Sequence, residues 1–386
     1  MTNNNMLFKK IMKFVQTSHI KFHDIRVWVT FAWAITGIIQ SKKPHFSHWL
    51  PFREGNTKAA SKARQFSRWL HNPKIDPMKI YRPFVTKLLE VWAGETIYLA
   101  LDTTQLWKRF VIIRLALVYC GRAIPLGWLV YRSGSPTVAV QRYRSMIQQV
   151  ATCLPSDCKI ILLADRGFAH IELMKLARQL GWSFRIRLKS DTWIHFGQRS
   201  PAQVKTLMPA LGQGHFYAHV WLTEQKYGPL HLALAYVITP NGSEKWAIIS
   251  DEAVGRHTFD EYGLRFNIEE NFLDDKSGGF NLESSGLDDV NALSRLCLIL
   301  AVATAYLVST GIAVDTLGFR PVVDTHWRRG LSYLQIGWRW CHHALSNQAW
   351  LTTFLWLPPM SDFEPAIASW KQFYRPMFKL YSLTWL

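Results

Sequence analysis

Residues 96–131 read TIYLALDTTQLWKRFVIIRLALVYCGRAIPLGWLVY, and they contain three apolar, β-rich runs in close succession. The runs are Thr96–Leu101, Arg109–Tyr119 and Ala123–Tyr131, and apolar runs of this length are typical of β-strands. Gly121-Arg122 separates the second run from the third, which predicts a short hairpin turn. The segment therefore predicts three strands that follow one another as a meander.

Helices and strands alternate after this meander. The pattern predicts a helix over Val138–Ala151, a strand over Lys159–Ala164, a helix over Ile171–Leu180 and a strand over Ser183–Leu188. The run KIILLA is continuously apolar, as expected of a central strand that is buried on both faces. A meander followed by strands that are joined through helices predicts an α/β fold, in which a mixed sheet carries helices on its faces.

The rest of the chain divides around this sheet. Three further strand-like runs predict a β-strand insertion, and they are Gln213–Trp221, Leu230–Ile238 and Lys245–Ile249. Helical patterning returns near Thr258, and Leu287–Val314 predicts a long core helix. The predicted organisation is an N-terminal helical domain (1–93), a core in two parts (94–189 and 251–318), an all-β insertion (190–250) and a basic, aromatic C-terminal region (319–386).

The charge balance is strongly basic. The 386 residues include 45 Lys and Arg against 27 Asp and Glu, so the formal net charge is +18. An excess this large indicates a polyanionic partner, either nucleic acid or an anionic membrane surface. Part of the excess lies on one N-terminal helical run, in Lys58, Lys62, Arg64 and Arg68. This run is interpreted as a helix that contacts DNA phosphates, and the alternative is an ordinary solvated helix face.

Neither secretion nor membrane insertion is expected. The five cysteines contain no Cys-x-x-Cys pair, and the N-terminus lacks a signal peptide pattern, so a cytoplasmic location is expected. Leu296–Val314 is apolar and long enough for a membrane span. It continues a helical run that contains Asp288, Asp289 and Arg295, which favours burial in a protein core. A basic, membrane-associated protein remains the alternative.

Two aspartates are expected at the ends of neighbouring strands. Asp102 follows the first strand in LDTTQ, and Asp165 follows a later strand in LLADRGF. Strand ends in a mixed sheet bring such side chains together, and paired carboxylates can share hard divalent cations through their oxygen atoms. Either aspartate alone could instead cap a turn or a helix, so the pair becomes informative with a third acid.

The third acid is Glu269, in YGLRFNIEENFLDDKSGG (262–279). Tyr262, Arg265, Glu269 and Lys276 recur at steps of three, four and seven residues, which predicts that all four project from one face of a helix. A glutamate there could ligate a metal while the arginine and lysine neutralise phosphate oxygens. The alternative is an exposed helix with ion pairs along its surface.

This spacing resembles the Tyr-Arg-Glu-Lys signature of the insertion sequence 4 family of bacterial DDE transposases. The Asp-Thr-Thr at Asp102 and the Ala-Asp-Arg at Asp165 resemble the first and second catalytic motifs of the same family. The resemblance spans roughly residues 95–312. It implies an RNase H-like catalytic core with a β-strand insertion between the second aspartate and the glutamate.

The resemblance also implies a mechanism on double-stranded DNA. Asp102, Asp165 and Glu269 would hold two Mg²⁺ ions, for which Mn²⁺ can substitute, and support hydrolysis of a phosphodiester at the transposon end. The freed 3′-OH would join target DNA, in some members after a hairpin intermediate. It further implies a homodimer on paired ends. The alternatives are a metal-dependent nuclease and a relative that binds DNA without cutting it.

Further DNA contacts follow from the same comparison. Tyr262, Arg265 and Lys276 would hold the terminal phosphates. Arg166, next to Asp165, is expected to contact a phosphate or to form a salt bridge. A tryptophan in the insertion would stack on a flipped base, and the candidates are Trp193, Trp221 and Trp246.

Overall fold

The computed structural model describes residues 3–135, 138–239, 242–325, 331–359 and 380–385. Its first five strands are β1 (Thr96–Leu106), β2 (Phe110–Tyr119), β3 (Arg122–Arg132), β4 (Lys159–Ala164) and β5 (Ser183–Arg187). Their order across the sheet is β3-β2-β1-β4-β5; β2 is antiparallel to both neighbours, whereas β1, β4 and β5 are parallel. The predicted meander and the later strands are therefore present, and the fold is mixed α/β.

The strands of the expected insertion continue this same sheet. They are β6 (Trp193–His195), β7 (Ala202–Gln203), β8 (Gln213–Leu222), β9 (Tyr227–Thr239) and β10 (Gly242–Ser250). β10 pairs with β5 in antiparallel fashion, and the order continues as β10-β9-β8-β6-β7. A C-terminal strand, β11 (Ser382–Trp385), pairs with β8. The segment is therefore β-rich and is hydrogen-bonded directly to the central strands.

Helices cover both faces of the sheet. In the part of the chain that the structure describes they are α1 (Asn3–Thr17), α2 (Ile25–Ser41), α3 (Ala59–Leu70), α4 (Pro77–Leu89), α5 (Val140–Ala151), α6 (Ile171–Gln179), α7 (Val204–Leu207), α8 (Arg256–Gly263), α9 (Asn267–Leu273), α10 (Val290–Thr316), α11 (Arg320–Val323) and α12 (Tyr333–Asn347). Several begin at side chains that satisfy free backbone N–H groups: Asp76 accepts from Lys79 N, and Asp289 accepts from Ala292 N.

The two faces of the sheet pack against different helices because side chains alternate along each strand. Leu99 and Leu101 of β1 belong to the larger core, which includes α10. Ala100, on the opposite face, packs with Ile268 and Phe272 of α9. The small alanine side chain leaves room for α9 to lie close to the sheet.

The apolar helix predicted over Leu287–Val314 is observed as α10. Among the described residues it is the one helix long and apolar enough to cross a bilayer, and its most apolar 18-residue window is wholly buried within the fold. It contacts α12, β3 and α2. The apolar surface of α10 is therefore already covered by protein, as the sequence prediction of a core helix requires.

The aromatic C-terminal region contributes to this core where it is described. Trp338 is buried and donates a hydrogen bond to the carbonyl of Ile39, and Trp340 donates to the carbonyl of Trp350. Trp327, Arg328 and Arg329 of the predicted basic, aromatic C-terminal region lie outside the described residues.

Two glycines allow α10 and α12 to cross at very short range. A Cβ atom on Gly311 would lie 2.0 Å from the carbonyl oxygen of Tyr333, and one on Gly337 would lie 1.9 Å from that of Leu307. These distances are far below van der Waals contact, so only glycine fits at either position.

Gly311→Ala is expected to destabilise the protein, although alanine normally favours a helix by about 1 kcal/mol over glycine. Because the added methyl must push two helix backbones apart, we expect the free energy of unfolding to fall by roughly 2 kcal/mol or more. Urea denaturation measures this change. Gly197→Ala is the matched control, since nothing lies within 4 Å of its added Cβ; equal stability of the two variants would contradict the packing argument.

Candidate active site

Asp102 and Asp165 lie side by side where β4 leaves the sheet. Ala164, the last residue of β4, pairs with Leu101, so the two aspartates are the next residues on adjacent chains, which run about 5 Å apart in a sheet. The prediction that Asp102 ends its strand is wrong. β1 continues to Leu106 because the hairpin partner β2 pairs with it over this whole length.

Glu269 approaches Asp102 from the helix above the sheet. Asp102 faces α9 because it lies two positions after Ala100, which packs on that helix. The guanidinium of Arg265 joins the two acids: Nη1 donates to Asp102 Oδ2 at 2.8 Å, and Nη2 donates to Glu269 Oε1 at 2.7 Å. Two carboxylates from different elements thus converge on one positive group.

The three acids differ in exposure and share one electrostatic environment. The side chain of Asp102 is 16% exposed and that of Glu269 is 53% exposed. Burial raises the pKa of Asp102 to about 6, and the charges of Glu269 and Asp165 add to this rise, while Arg265 and the backbone N–H of Thr103 oppose it. Such a site favours the binding of positive charge.

The chemistry of the carboxylates fits a hard divalent cation. Asp102, Asp165 and Glu269 offer oxygen atoms, which are the ligands that Mg²⁺ prefers, and Mg²⁺ needs only one or two carboxylates besides water and phosphate. No group of three His, Cys, Asp or Glu side chains is gathered at metal-binding distance in the described ranges. In this arrangement the positive charge between Asp102 and Glu269 is supplied by Arg265.

The predicted single helix through the signature is broken into four parts. α8 is followed by a 3₁₀ turn (Leu264–Phe266), by α9 and by a π-helical turn (Asp274–Gly278). Arg265 and Glu269 still face Asp102. Lys276 instead contacts the backbone of β1. Its Nζ donates to the carbonyl of Gln105, three residues beyond Asp102, at 2.7 Å.

Tyr262 lies beneath the site. It is fully buried, with its ring centroid 5.6 Å from that of Trp246, and burial raises its pKa to about 12. The guanidinium of Arg265 lies 5.8 Å from the centre of the tyrosine ring. The expected contact of Tyr262 with a terminal phosphate does not fit this full burial, and the tyrosine ring packs beneath Arg265 instead.

The three candidate tryptophans lie in different environments. Trp193 is 46% exposed and borders an open groove of about 470 Å³ with Ala169 and His170, shortly after Asp165 in the chain. Trp221 lines a second hollow of about 320 Å³ with Arg199 and Lys226. Trp246 is corrected to a core residue, because it is 3% exposed and packs among other aromatic side chains where a base could not reach it.

The predicted basic residues lie mostly at the surface. Arg166 opens a short 3₁₀ turn directly after Asp165 and is exposed. In α3, Arg64 and Arg68 are exposed, and Lys58 is exposed at the position that precedes the helix. Lys62 differs from these cations, because its Nζ donates to the backbone carbonyl of Arg53.

Sequence reasoning missed a buried arginine that holds the signature helix to the sheet. Arg114 of β2 donates to Asn271 Oδ1 at 2.5 Å and to Asp275 Oδ2 at 2.6 Å. The neighbouring Asp274 pairs with Arg122 of β3 at 3.0 Å. One signal was available: Arg114 is the single charged residue within the apolar run FVIIRLALVY, which indicates a buried partner.

A second buried arginine holds α8. Arg185 of β5 donates to Glu261 of α8 at 2.7 Å and to Glu252 at 2.8 Å. Tyr98 of β1 also donates to Glu261, at 3.4 Å. Ion pairs from the sheet therefore hold the segment that carries Arg265 and Glu269 both before and after these residues.

Comparisons with known proteins leave the family open. No family model and no curated protein matches the chain. A solved structure of a piggyBac transposase synaptic complex with hairpin DNA is similar over 93% of this chain and 85% of that chain, with 10% sequence identity and a TM-score of 0.36. A likeness at this level establishes neither a shared family nor a shared activity. The resemblance to the insertion sequence 4 family therefore rests on the three motifs.

Asp274→Asn is expected to change how stability depends on pH. Burial raises the pKa of Asp274 to about 6 from 3.8, so between these values the folded protein binds a proton that the unfolded chain has lost. The protonated Asp274 therefore stabilises the fold below about pH 4, and this contribution is lost as the pH rises through 6. The loss in the free energy of unfolding amounts to about 3 kcal/mol. Urea denaturation from pH 4 to 7 should show wild type losing this much relative to the variant; parallel curves would contradict the assignment.

Proposed function

We propose that the protein is a DDE-type DNA transposase of the insertion sequence 4 kind, with an RNase H-like catalytic core. The observation that carries the proposal is the convergence of Asp102 and Glu269 on one positive group, with Asp165 beside Asp102 at the end of β4. These acids come from a central strand, the end of its parallel neighbour and a helix across the sheet. Their order along the chain matches the three motifs.

The proposed reaction is metal-dependent cleavage at the transposon ends followed by strand transfer into target DNA. Bound Mg²⁺ ions, or Mn²⁺ in their place, supply a Lewis acid and a water with a lowered pKa. Asp102, Asp165 and Glu269 would hold two such ions. A basic side chain is then not needed to deprotonate the water, which agrees with a site built from carboxylates and an arginine.

The neighbouring cations have roles that follow from their positions. Arg265 balances the charge of Asp102 and Glu269, and its planar fork also suits phosphate oxygens. Lys276 bonds to the carbonyl of Gln105, three residues beyond Asp102 on β1, and Arg166 is exposed next to Asp165. We propose that Arg265, Lys276 and Arg166 hold the phosphates that flank the scissile bond. Tyr262 orients Arg265 from below.

Binding of longer DNA would use the basic surface away from the acids. Arg64 and Arg68 present exposed charge on α3, Lys58 adds to it at the position before the helix, and the net charge of +18 favours a polyanion. Trp193 is an exposed tryptophan that borders the groove lined by Ala169 and His170, and it is the preferred candidate for stacking on a base. A homodimer on paired ends in the cytoplasm belongs to the same proposal, since cutting two ends requires two sites.

Removal of any one carboxylate should abolish cleavage. We expect Asp102→Ala, Asp165→Ala and Glu269→Ala each to reduce the rate by roughly a thousandfold or more, because each removes part of a metal contribution worth several kcal/mol. The assay uses DNA that carries the element's own ends, with Mg²⁺, Mn²⁺ or EDTA.

Asp157→Ala is the control for this assay. Asp157 is exposed and lies just before β4, at the other end of the strand that leads to Asp165. It should leave cleavage unchanged. Metal-dependent cleavage that survives in any of the three carboxylate variants would refute the assignment, and cleavage without joining of the 3′-OH would indicate a nuclease.

The exposed cations of α3 should set part of the salt dependence of DNA binding. Each neutralised phosphate contributes roughly 0.9 to the slope of log affinity against log salt, so Arg64→Ala/Arg68→Ala should reduce the slope by roughly 1.8. Fluorescence anisotropy between about 50 and about 300 mM salt measures this slope. Arg26→Ala is the control, because Arg26 is exposed but paired with Asp24. An unchanged slope in the double variant would remove α3 from the DNA interface.

A further inference from the structure

Arg114 lies beside the candidate active site without touching its acids. It is directly opposite Asp102 in the β1–β2 ladder, so both side chains point to the face that α9 covers. Arg114 is 1% exposed, and its guanidinium lies 4.9 Å from the centre of the Phe272 ring. A cation this deeply buried needs specific partners.

The two oxygen acceptors of its hydrogen bonds both come from the segment that carries Glu269. Asn271 is two residues after Glu269, and Asp275 is six residues after it. Arg114 donates to both, with one nitrogen to each. A fork with two acceptors about one helical turn apart fixes both the rotation of α9 about its axis and its position along the sheet.

The π-helical turn brings a second acid into the same interaction. Asp274 and Asp275 are consecutive and buried, and they pair with arginines from two adjacent strands, Arg122 of β3 and Arg114 of β2. Turns of this kind are rare and occur frequently at functional sites. The turn therefore anchors the end of α9 across two strands.

Stability alone gives a weak reason for such an arrangement. A buried ion pair often contributes little net stability compared with apolar side chains of similar volume, because removing two charges from water is costly. What the fork supplies is one defined position for the helix. Glu269 is largely exposed, so its own contacts restrain it less than the buried residues on the same helix do.

We propose that Arg114 is a positioning residue for Glu269: through Asn271 and Asp275 it sets α9 so that the Glu269 carboxylate faces Asp102. This inference rests on the proposed function of Glu269 as a metal ligand. It assigns no direct contact between Arg114 and DNA or metal. Its consequence is that the fork controls metal affinity more than it controls folding.

The test compares variants that separate position from stability. Arg114→Met/Asn271→Leu/Asp275→Leu replaces the whole polar group by apolar side chains and leaves no buried charge unpaired. Arg114→Lys keeps the charge but cannot reach both acceptors with a planar fork. Arg320→Met/Asp324→Leu is the control, since it removes another buried arginine–aspartate pair, formed by the first residue of α11 and the residue that follows the helix.

Two readouts are measured on the full-length protein. The first is the Mn²⁺ concentration that gives half-maximal end cleavage. The second is amide hydrogen exchange over residues 264–278 without metal or DNA. The triple variant should have a melting temperature close to that of the control variant. Relative to wild type, it should require about tenfold more Mn²⁺ for half-maximal cleavage, and its amides in this segment should exchange faster. Arg114→Lys should show a smaller rise in the Mn²⁺ requirement, and the control should change neither readout selectively.

The outcomes distinguish the inference from the proposed function. Wild-type Mn²⁺ dependence and wild-type exchange in the triple variant would overturn the positioning role. If that variant does not fold, Arg114→Lys decides instead. A raised Mn²⁺ requirement at an unchanged melting temperature supports the positioning role, and an unchanged Mn²⁺ requirement overturns it. If wild type does not cleave DNA, the proposed function fails. Hydrogen exchange then decides alone whether Arg114 fixes α9, since faster exchange confined to 264–278 supports this and unchanged exchange overturns it.

Discussion

The guanidinium of Arg265, shared between Asp102 and Glu269, is the interaction on which the rest of the site depends. The carboxylates of Asp102 and Glu269 repel one another, and burial costs Asp102 part of its hydration. The buried guanidinium of Arg265 offsets both effects. The interaction has two requirements. β1 must extend beyond the end of its parallel neighbour β4, and α9 must be held close to the sheet. Arg114 and Arg185 meet the second requirement through ion pairs between the sheet and the segment 252–275.

Much of this architecture could be predicted from local sequence. The apolar runs of the meander, KIILLA and the strands after residue 212 all appear as strands, and the apolar run before residue 315 is a buried helix. These predictions succeed because periodicity reports which face of an element is buried. The motifs also predict that Asp102 and Glu269 lie together, and in the structure both accept hydrogen bonds from Arg265.

What the sequence could not supply are contacts between residues far apart in the chain. Asp102 lies within β1 because β2 pairs with it, which no local pattern shows. The signature segment ends in a π-helical turn where Asp274 and Asp275 pair with arginines about 150 residues earlier in the chain. The sequence makes Trp246 a candidate for base stacking, because it does not show that Trp246 packs against Tyr262 and Phe259 in the core.

The most direct test of the account is Mn²⁺ anomalous diffraction from crystals of the protein bound to a DNA end. The account predicts anomalous peaks about 2.1 Å from the carboxylate oxygens of Asp102, Asp165 and Glu269, with Arg265 moved from between the acids towards a phosphate. Peaks elsewhere, or an Arg265 that keeps both ion pairs while DNA and Mn²⁺ are bound, would contradict it.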